Sequence, residues 1–210
     1  DVWFEDVVKP RMKGKAFLVR YADDFVLVFA RQDDARRVMD VLPKRFGKYG
    51  LTLHSEKTRM LCFRFPRTER DEEPGSFDFL GFTHVWSRAR ARPNVWAVKK
   101  STAKSRLSRG LRRVTVWCRK NRHKRIADQH RALERKLRGH YAYYGVRGNA
   151  RALGRFRYGV LRIWQKWLSR RSQHRGMLWE RFYRLLERYP LPWPAGYTLR
   201  SRPQRNRISK

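Results

Sequence analysis

The 210 residues include 41% hydrophobic side chains and eight Trp, enough for one substantial core or two small ones, which excludes a disordered polypeptide. Lys and Arg number 52 against 18 Asp and Glu, and the resulting charge of +34 repels itself unless a polyanion is near. The longest uninterrupted apolar run, Phe25–Ala30, is far too short to span a membrane as a helix, and no signal peptide is visible.

The charge is unevenly distributed. Residues 1–86 carry 16 basic and 14 acidic side chains, whereas residues 87–210 carry 36 and 4. The second half is therefore expected to meet the polyanion, and its preference for Arg over Lys suits bidentate phosphate contacts. An anionic membrane surface is the weaker reading, because the basic residues surround helices that must also pack a core. Cys62 and Cys118 are too few for a disulfide framework or a zinc site and read as ordinary semi-buried thiols in a reducing, cytoplasmic setting. The chain opens at Asp1 inside what reads as continuing structure, so it is expected to be the C-terminal part of something longer.

In chain order, residues 16–30 predict strand, tight turn, strand, with Tyr21-Ala22-Asp23-Asp24 at the turn. Two adjacent carboxylates gripped between apolar runs are costly unless cations offset them, as a pair of Mg²⁺ ions meeting a nucleic-acid end and a triphosphate would. Asp is also a common turn residue, so the pair alone reads equally as a plain hairpin turn. Asp33 and Asp34 offer a cap and favourable charge to a helix whose apolar positions run from Ala35 to Tyr49. Pro43 predicts a kink or a shortened first segment, and Gly50 a helix end. A short extended piece at Leu51 and Leu53 follows, then a strand over Thr58–Phe65 and a polar loop over 66–76. Phe77–Trp86 and Asn94–Lys99 read as a hairpin pair joined by a basic segment, Ser87–Pro93.

From Ser101 the apolar period changes from two to 3.6. Ala103 to Trp117 marks a helix that Ser101 is placed to cap; Ile126 to Tyr141, Leu153 to Trp167 and Leu178 to Tyr189 mark three more, the last ended by Pro190 and Pro192. The fold class is thus α+β: an antiparallel sheet with a helix, then an all-α bundle with an apolar seam and a cationic outside. Boundaries fall at 1–86, a basic linker and last strand at 87–100, helices at 101–190 and a basic tail at 191–210.

The order strand–YADD–strand, helix, Leu51-Thr-Leu-His-Ser-Glu-Lys-Thr58 and Phe77-Asp-Phe-Leu-Gly-Phe82 resembles the second half of a reverse-transcriptase palm. Leu137-Arg-Gly-His-Tyr-Ala-Tyr-Tyr-Gly145, Arg155-Phe-Arg-Tyr158 and Trp164-Gln-Lys-Trp167 resemble the thumb, or maturase-specific region, of group II intron-encoded reverse transcriptases. The resemblance covers residues 1 to about 195. It implies RNA-templated DNA synthesis with Mg²⁺, deoxynucleotide triphosphates and an RNA template with DNA primer, together with binding of structured intron RNA to assist splicing. By it, Asp23 and Asp24 are metal-coordinating catalytic aspartates, and Tyr21 and Ala22 line the primer terminus. Lys57 lies beside the departing pyrophosphate, and Phe79, Leu80, Gly81 and Phe82 form the primer grip.

The residues themselves leave other roles open. Lys57 beside Glu56 also reads as a surface ion pair, and Phe79, Leu80 and Phe82 as core. His54 reads as a turn residue and His140 as a half-buried helix residue. Tyr143 or Tyr144 is placed to stack on unpaired bases. The cations expected on RNA are Arg119, Lys120, Arg122, Lys124 and Arg125, with Arg131, Arg135 and Arg138 on the next helix. The family's other metal-binding aspartate has no counterpart among residues 1–20, so polymerisation by this stretch alone is not expected. Two further readings share these motifs: a splicing maturase that binds RNA without polymerising, and a reverse transcriptase outside introns, such as a CRISPR-associated one.

Overall fold

The computed structural model describes residues 1–64, 75–89, 92–171 and 176–195. They divide into two compact units, Asp1–Leu80 and Gly81–Lys210.

The first unit opens with a π-helical turn, Phe4–Val8, and a 3₁₀ turn, Lys9–Arg11, started by Pro10. Strands β1 (Ala16–Tyr21) and β2 (Asp24–Phe29) form an antiparallel hairpin in which Ala16 faces Phe29 and Tyr21 faces Asp24. Helix α1 (Gln32–Gly47) returns over it. Phe4, Val8, Ala16, Val38 and Leu42 make the core, with Leu18, Leu27, Phe29 and Phe46 packed on it. This small core fixes one face of the ribbon; Phe17, Val19 and Val28 on its other face are exposed.

Asp33 and Asp34 do not cap α1. Arg31 holds that position without a side-chain bond, and both carboxylates lie in the first turn. Asp34 is fully buried because it has other partners: it accepts the backbone N–H groups of Lys13 and Gly14 at 3.2 and 2.9 Å and pairs with Arg37. The helix runs through Pro43, which is exposed, and reaches Gly47. It then closes as the sequence leads one to expect: Gly50 has φ +66°, and Gly50 N–H and Leu51 N–H donate to the carbonyls of Gly47 and Phe46, the paired bonds of a Schellman end.

The expected strand at Thr58–Phe65 is absent over 58–64, and Phe65 lies outside the described residues. Single contacts stand in place of a ladder there: Arg59 donates to the Ser76 carbonyl at 3.2 Å, and the Phe63 and Phe77 rings meet edge to face. Leu51 and Leu53 are likewise not strand, although Leu53 joins the core. Most of the expected 66–76 loop, residues 66–74, lies outside the described residues. Strand β3 (Phe77–Phe79) ends the unit.

The second unit starts with β4 (Phe82–Ala89) and β5 (Arg92–Thr102), antiparallel with Phe82 facing Thr102. The stretch expected as one strand, Phe77–Trp86, is interrupted at Leu80 and Gly81, both at positive φ, as in a two-residue hairpin turn. Part of the segment read as basic linker is strand, through Ala89 and from Arg92. Four helices follow: α2 (Lys104–Lys120), α3 (Ile126–Tyr144), α4 (Ala150–Ser169) and α5 (Trp179–Arg188). Ser101 does not cap α2; it belongs to β5, and Ala103 precedes the helix without a capping side chain. The polar tie at that junction comes from the buried Asn149, whose Oδ1 accepts Thr102 N–H at 2.9 Å and whose Nδ2 donates to Thr102 Oγ1 and the Tyr144 carbonyl.

The helical core is larger than the first. Val114, Cys118, Leu133, Leu137, Phe156, Val160, Trp164, Leu168, Phe182 and Leu191 are all buried. α2 and α4 cross closely at two glycines, since a Cβ on Gly110 would lie 3.0 Å from the Phe156 ring and one on Gly159 2.7 Å from Leu111. Trp164 is satisfied inside: its Nε1–H donates to Gln129 Oε1 at 3.0 Å. Cys118 is fully buried, and burial pushes its thiol up to about 12, whereas Cys62 is exposed; neither is the semi-buried thiol expected. Among the described residues no helix is long and apolar enough to cross a membrane.

Candidate active site and nucleic-acid interface

The Tyr21–Asp24 pairing leaves Ala22 and Asp23 as a two-residue loop at the end of the first hairpin. Ala22 has φ +54°, a left-handed conformation that costs a residue with a Cβ on the order of 1 kcal/mol. Arg20 holds the loop in that state. Its Nη1 donates to the Ala22 carbonyl at 3.0 Å, while Nε and Nη2 grip both oxygens of Asp1 at 2.7 and 2.6 Å. Nothing in the turn motif signals this clamp; an Arg just ahead of a strained loop is the only hint.

Asp23 and Asp24 are both exposed. The expectation of buried adjacent carboxylates is therefore corrected: the flanking apolar runs are the strands themselves, and the hairpin end, with Asp23 in the loop and Asp24 opening β2, carries the pair beyond the core. Tyr21 and Ala22 are exposed beside them. Among the described residues no three His, Cys, Asp or Glu side chains gather as a metal-holding group. Asp1, the carboxylate tied to this loop through Arg20, is already neutralised by that guanidinium. The described residues thus fit part of a two-metal site and do not complete one.

Lys57 is exposed in a turn closed by Lys57 N–H and Thr58 N–H, both donating to the His54 carbonyl. His54 thus serves that turn through its backbone. Phe79, Leu80, Gly81 and Phe82 are half-buried. Gly81 combines φ +79° with a close approach, because a Cβ there would lie 2.9 Å from the Tyr144 hydroxyl. Phe82 stacks on Tyr143 and meets Tyr144 edge-on. Tyr144 is also packed against His140, whereas Tyr143 remains 57% exposed. His140 stacks on Phe156 with ring centroids 3.7 Å apart, and burial lowers its pKa to about 4.

Residues 3–84, which contain the hairpin, α1 and the turn at Lys57, match the model of the family described as reverse transcriptase (RNA-dependent DNA polymerase). This segment is a reverse transcriptase domain. The match implies kinship with RNA-directed DNA polymerases, a family that typically uses Mg²⁺ and acts on nucleic acid. No curated protein and no solved structure matches the chain.

The cations of the helical unit are not equivalent. Arg131 pairs with Asp128, and Arg138 pairs with Glu134, whose carboxyl it holds below the usual range. Arg119, Lys120, Lys124, Arg125 and Arg135 are exposed with no carboxylate partner among the described residues, and Arg122 is half-buried. The α2–α3 connection that carries several of them is braced from within. Gln129 Nε2 donates to the carbonyls of Arg122 and Lys124, Asn121 Nδ2 to that of Trp117, and Arg171 to those of His123 and Lys124. Gln129, Asn149 and Arg171 escaped sequence reading because a polar residue within a helix or just beyond its ends carries no sign of the carbonyls it will meet.

Proposed function

We propose that the chain is part of an RNA-directed DNA polymerase of group II intron type. In this reading, residues 3–84 are palm, and the helices from Lys104 onward bind the intron RNA as a maturase. The carrying observation is the pair Asp23-Asp24, one on a clamped two-residue hairpin loop and the other at the strand end that closes it, inside the segment that matches the reverse transcriptase model. Mg²⁺ would supply charge neutralisation of a triphosphate and activation of the primer hydroxyl. Asp23 and Asp24 are the residues of this chain to hold it, and Arg20 fixes the loop from which they act. Lys57 is proposed as the cation beside the departing pyrophosphate, Tyr21 and Ala22 as neighbours of the primer terminus, and the Phe79–Phe82 turn as primer grip. Exposed Tyr143, backed by Phe82, is the better placed of the two tyrosines for an unpaired base.

The decisive measurement is primer extension on an RNA template by the full-length protein. Asp23→Asn is expected to bring synthesis to background while RNA binding persists; a variant that extends like the wild type reduces Asp23 to a turn residue. A second reading, an RNA-binding maturase with an idle palm, is favoured by the 36 basic against 4 acidic residues beyond residue 86. It predicts no extension by the wild type and splicing assistance unaffected by Asp23→Asn.

A further inference from the structure

Helix α4 carries no carboxylate, and four of its five cations are aligned. Arg151, Arg155, Arg162 and Lys166 are all exposed. At 100° per residue they fall within about 60° of the helix circumference. Over 15 residues at 1.5 Å each they extend about 22 Å, the length of roughly six stacked nucleotides at 3.4 Å per nucleotide. No carboxylate pairs with any of them among the described residues, in contrast to Arg131 and Arg138 on α3. Between them stands Tyr158, 50% exposed, with the Arg162 guanidinium 5.9 Å from its ring centroid.

We infer that this face of α4 is a docking rail for an unpaired nucleic-acid strand: the four cations take successive phosphates, and Tyr158 takes the face of a base. The inference rests on the nucleic-acid reading of the helical unit and locates its contact surface on a helix other than those first singled out. Charge complementarity selects a polyanion, and the exposed aromatic within the stripe selects a single strand, because a duplex has no free base face to offer. An anionic membrane is the poorer occupant. The apolar side of α4 (Leu153, Phe156, Val160, Trp164 and Leu168) is buried in the core and has nothing to insert. Helix α2 is as cationic, but its cations wrap more than half of its circumference and no exposed aromatic stands among them.

The test is fluorescence anisotropy with the 210-residue chain and labelled, unstructured RNA and DNA oligonucleotides of about 12 nucleotides, with a hairpin duplex and phosphatidylserine vesicles alongside. Replacing Arg151, Arg155, Arg162 and Lys166 together by Gln should lower the slope of log affinity on log salt by about 3, at roughly 0.7 per lost phosphate contact. Arg131→Gln with Arg138→Gln, on the paired cations of α3, should change it by less than about 1. Tyr158→Ala should weaken single-strand binding about 5–150-fold, with Tyr158→Phe near wild type. A wild-type slope in the fourfold variant overturns the rail while leaving nucleic-acid binding elsewhere on the unit intact. Undiminished single-strand binding by Tyr158→Ala, or equal affinity for the duplex, overturns the single-strand assignment. Loss of vesicle binding with RNA binding unchanged assigns the stripe to a membrane instead. A wild-type chain that binds neither RNA nor DNA removes this inference and the proposed RNA-binding role together. Comparison of the two oligonucleotides identifies which nucleic acid the rail prefers.

Discussion

The two units solve the problem of charge in opposite ways. The first, Asp1–Leu80, holds 16 basic and 14 acidic side chains, and it uses carboxylates as structural parts. Asp34 is buried to pin Lys13 and Gly14 just ahead of β1, and Asp1 anchors the arginine that clamps the loop. The second has 36 cations and 4 anions. It pins its loops with the neutral amides of Gln129 and Asn149 and with two guanidiniums, Arg157 and Arg171, that donate to backbone carbonyls, never with a buried carboxylate among the described residues. On the proposed reading, the first unit holds carboxylates in place for chemistry and can balance them internally. The second, if it attracts a polyanion as proposed, gains nothing from neutralising itself, provided that its core outweighs the self-repulsion.

That contrast fails if the larger core is not what holds the helical unit. Trp164→Ala should be the most destabilising of the substitutions considered, by about 3–5 kcal/mol, since it opens a cavity and orphans the Gln129 carbonyl oxygen. Hydrogen exchange should locate the loss in α2–α5; equal loss of protection in β1 and β2 would erase the distinction between the two cores. Asp34→Asn should cost the first unit about 2–3 kcal/mol, the worth of hydrogen bonds to a charged group, and loosen β1 amides in the same experiment. A neutral outcome would mean that the Lys13-Gly14 bonds carry no weight.

Acid should separate the units further. Burial alone would raise the pKa of Asp34, but Arg37 and the two backbone N–H groups outweigh it and hold the carboxyl below its ordinary 3.8. Its contribution is therefore complete above pH 3.8 and fades as pH falls through the lower folded value. For His140, burial lowers the pKa from 6.5 to about 4, so the unfolded state takes up the proton first. The helical unit should then lose stability as pH falls from 6.5 towards 4, by about 1–2 kcal/mol after allowance for partial exposure. His140→Phe, which keeps the stack on Phe156, should flatten denaturant midpoints over that interval. A slope that survives the substitution would assign the titration to another group.

The periodic elements were readable because their signals are local. The hairpin follows from two apolar β-branched runs around a turn, and the four helices from apolar residues at 3.6 spacing. The Asp23-Asp24 pair and the split in charge needed only the order of residues. The misreadings share a cause. Thr58–Phe65 has strand composition, but a strand exists only when another backbone completes its ladder, and over 58–64 side-chain contacts to Ser76 and Phe77 take that place. Ser101 has the right chemistry for a cap, but β5 extends through Thr102 and draws it into the sheet.

Sequence alone determined what kinds of groups this protein owns: a carboxylate pair on a turn, a cationic helical half and too little acid there to neutralise it. Tertiary structure decided which helix faces are at liberty. Arg131 and Arg138 meet their carboxylates locally, one turn away on α3, whereas the outward turn of the face shared by Arg151, Arg155, Arg162 and Lys166 comes from the packing of Phe156, Val160 and Trp164. Composition is a property of the chain, but the field around a charge depends on what folding brings near it, and that is fixed only when the helices pack.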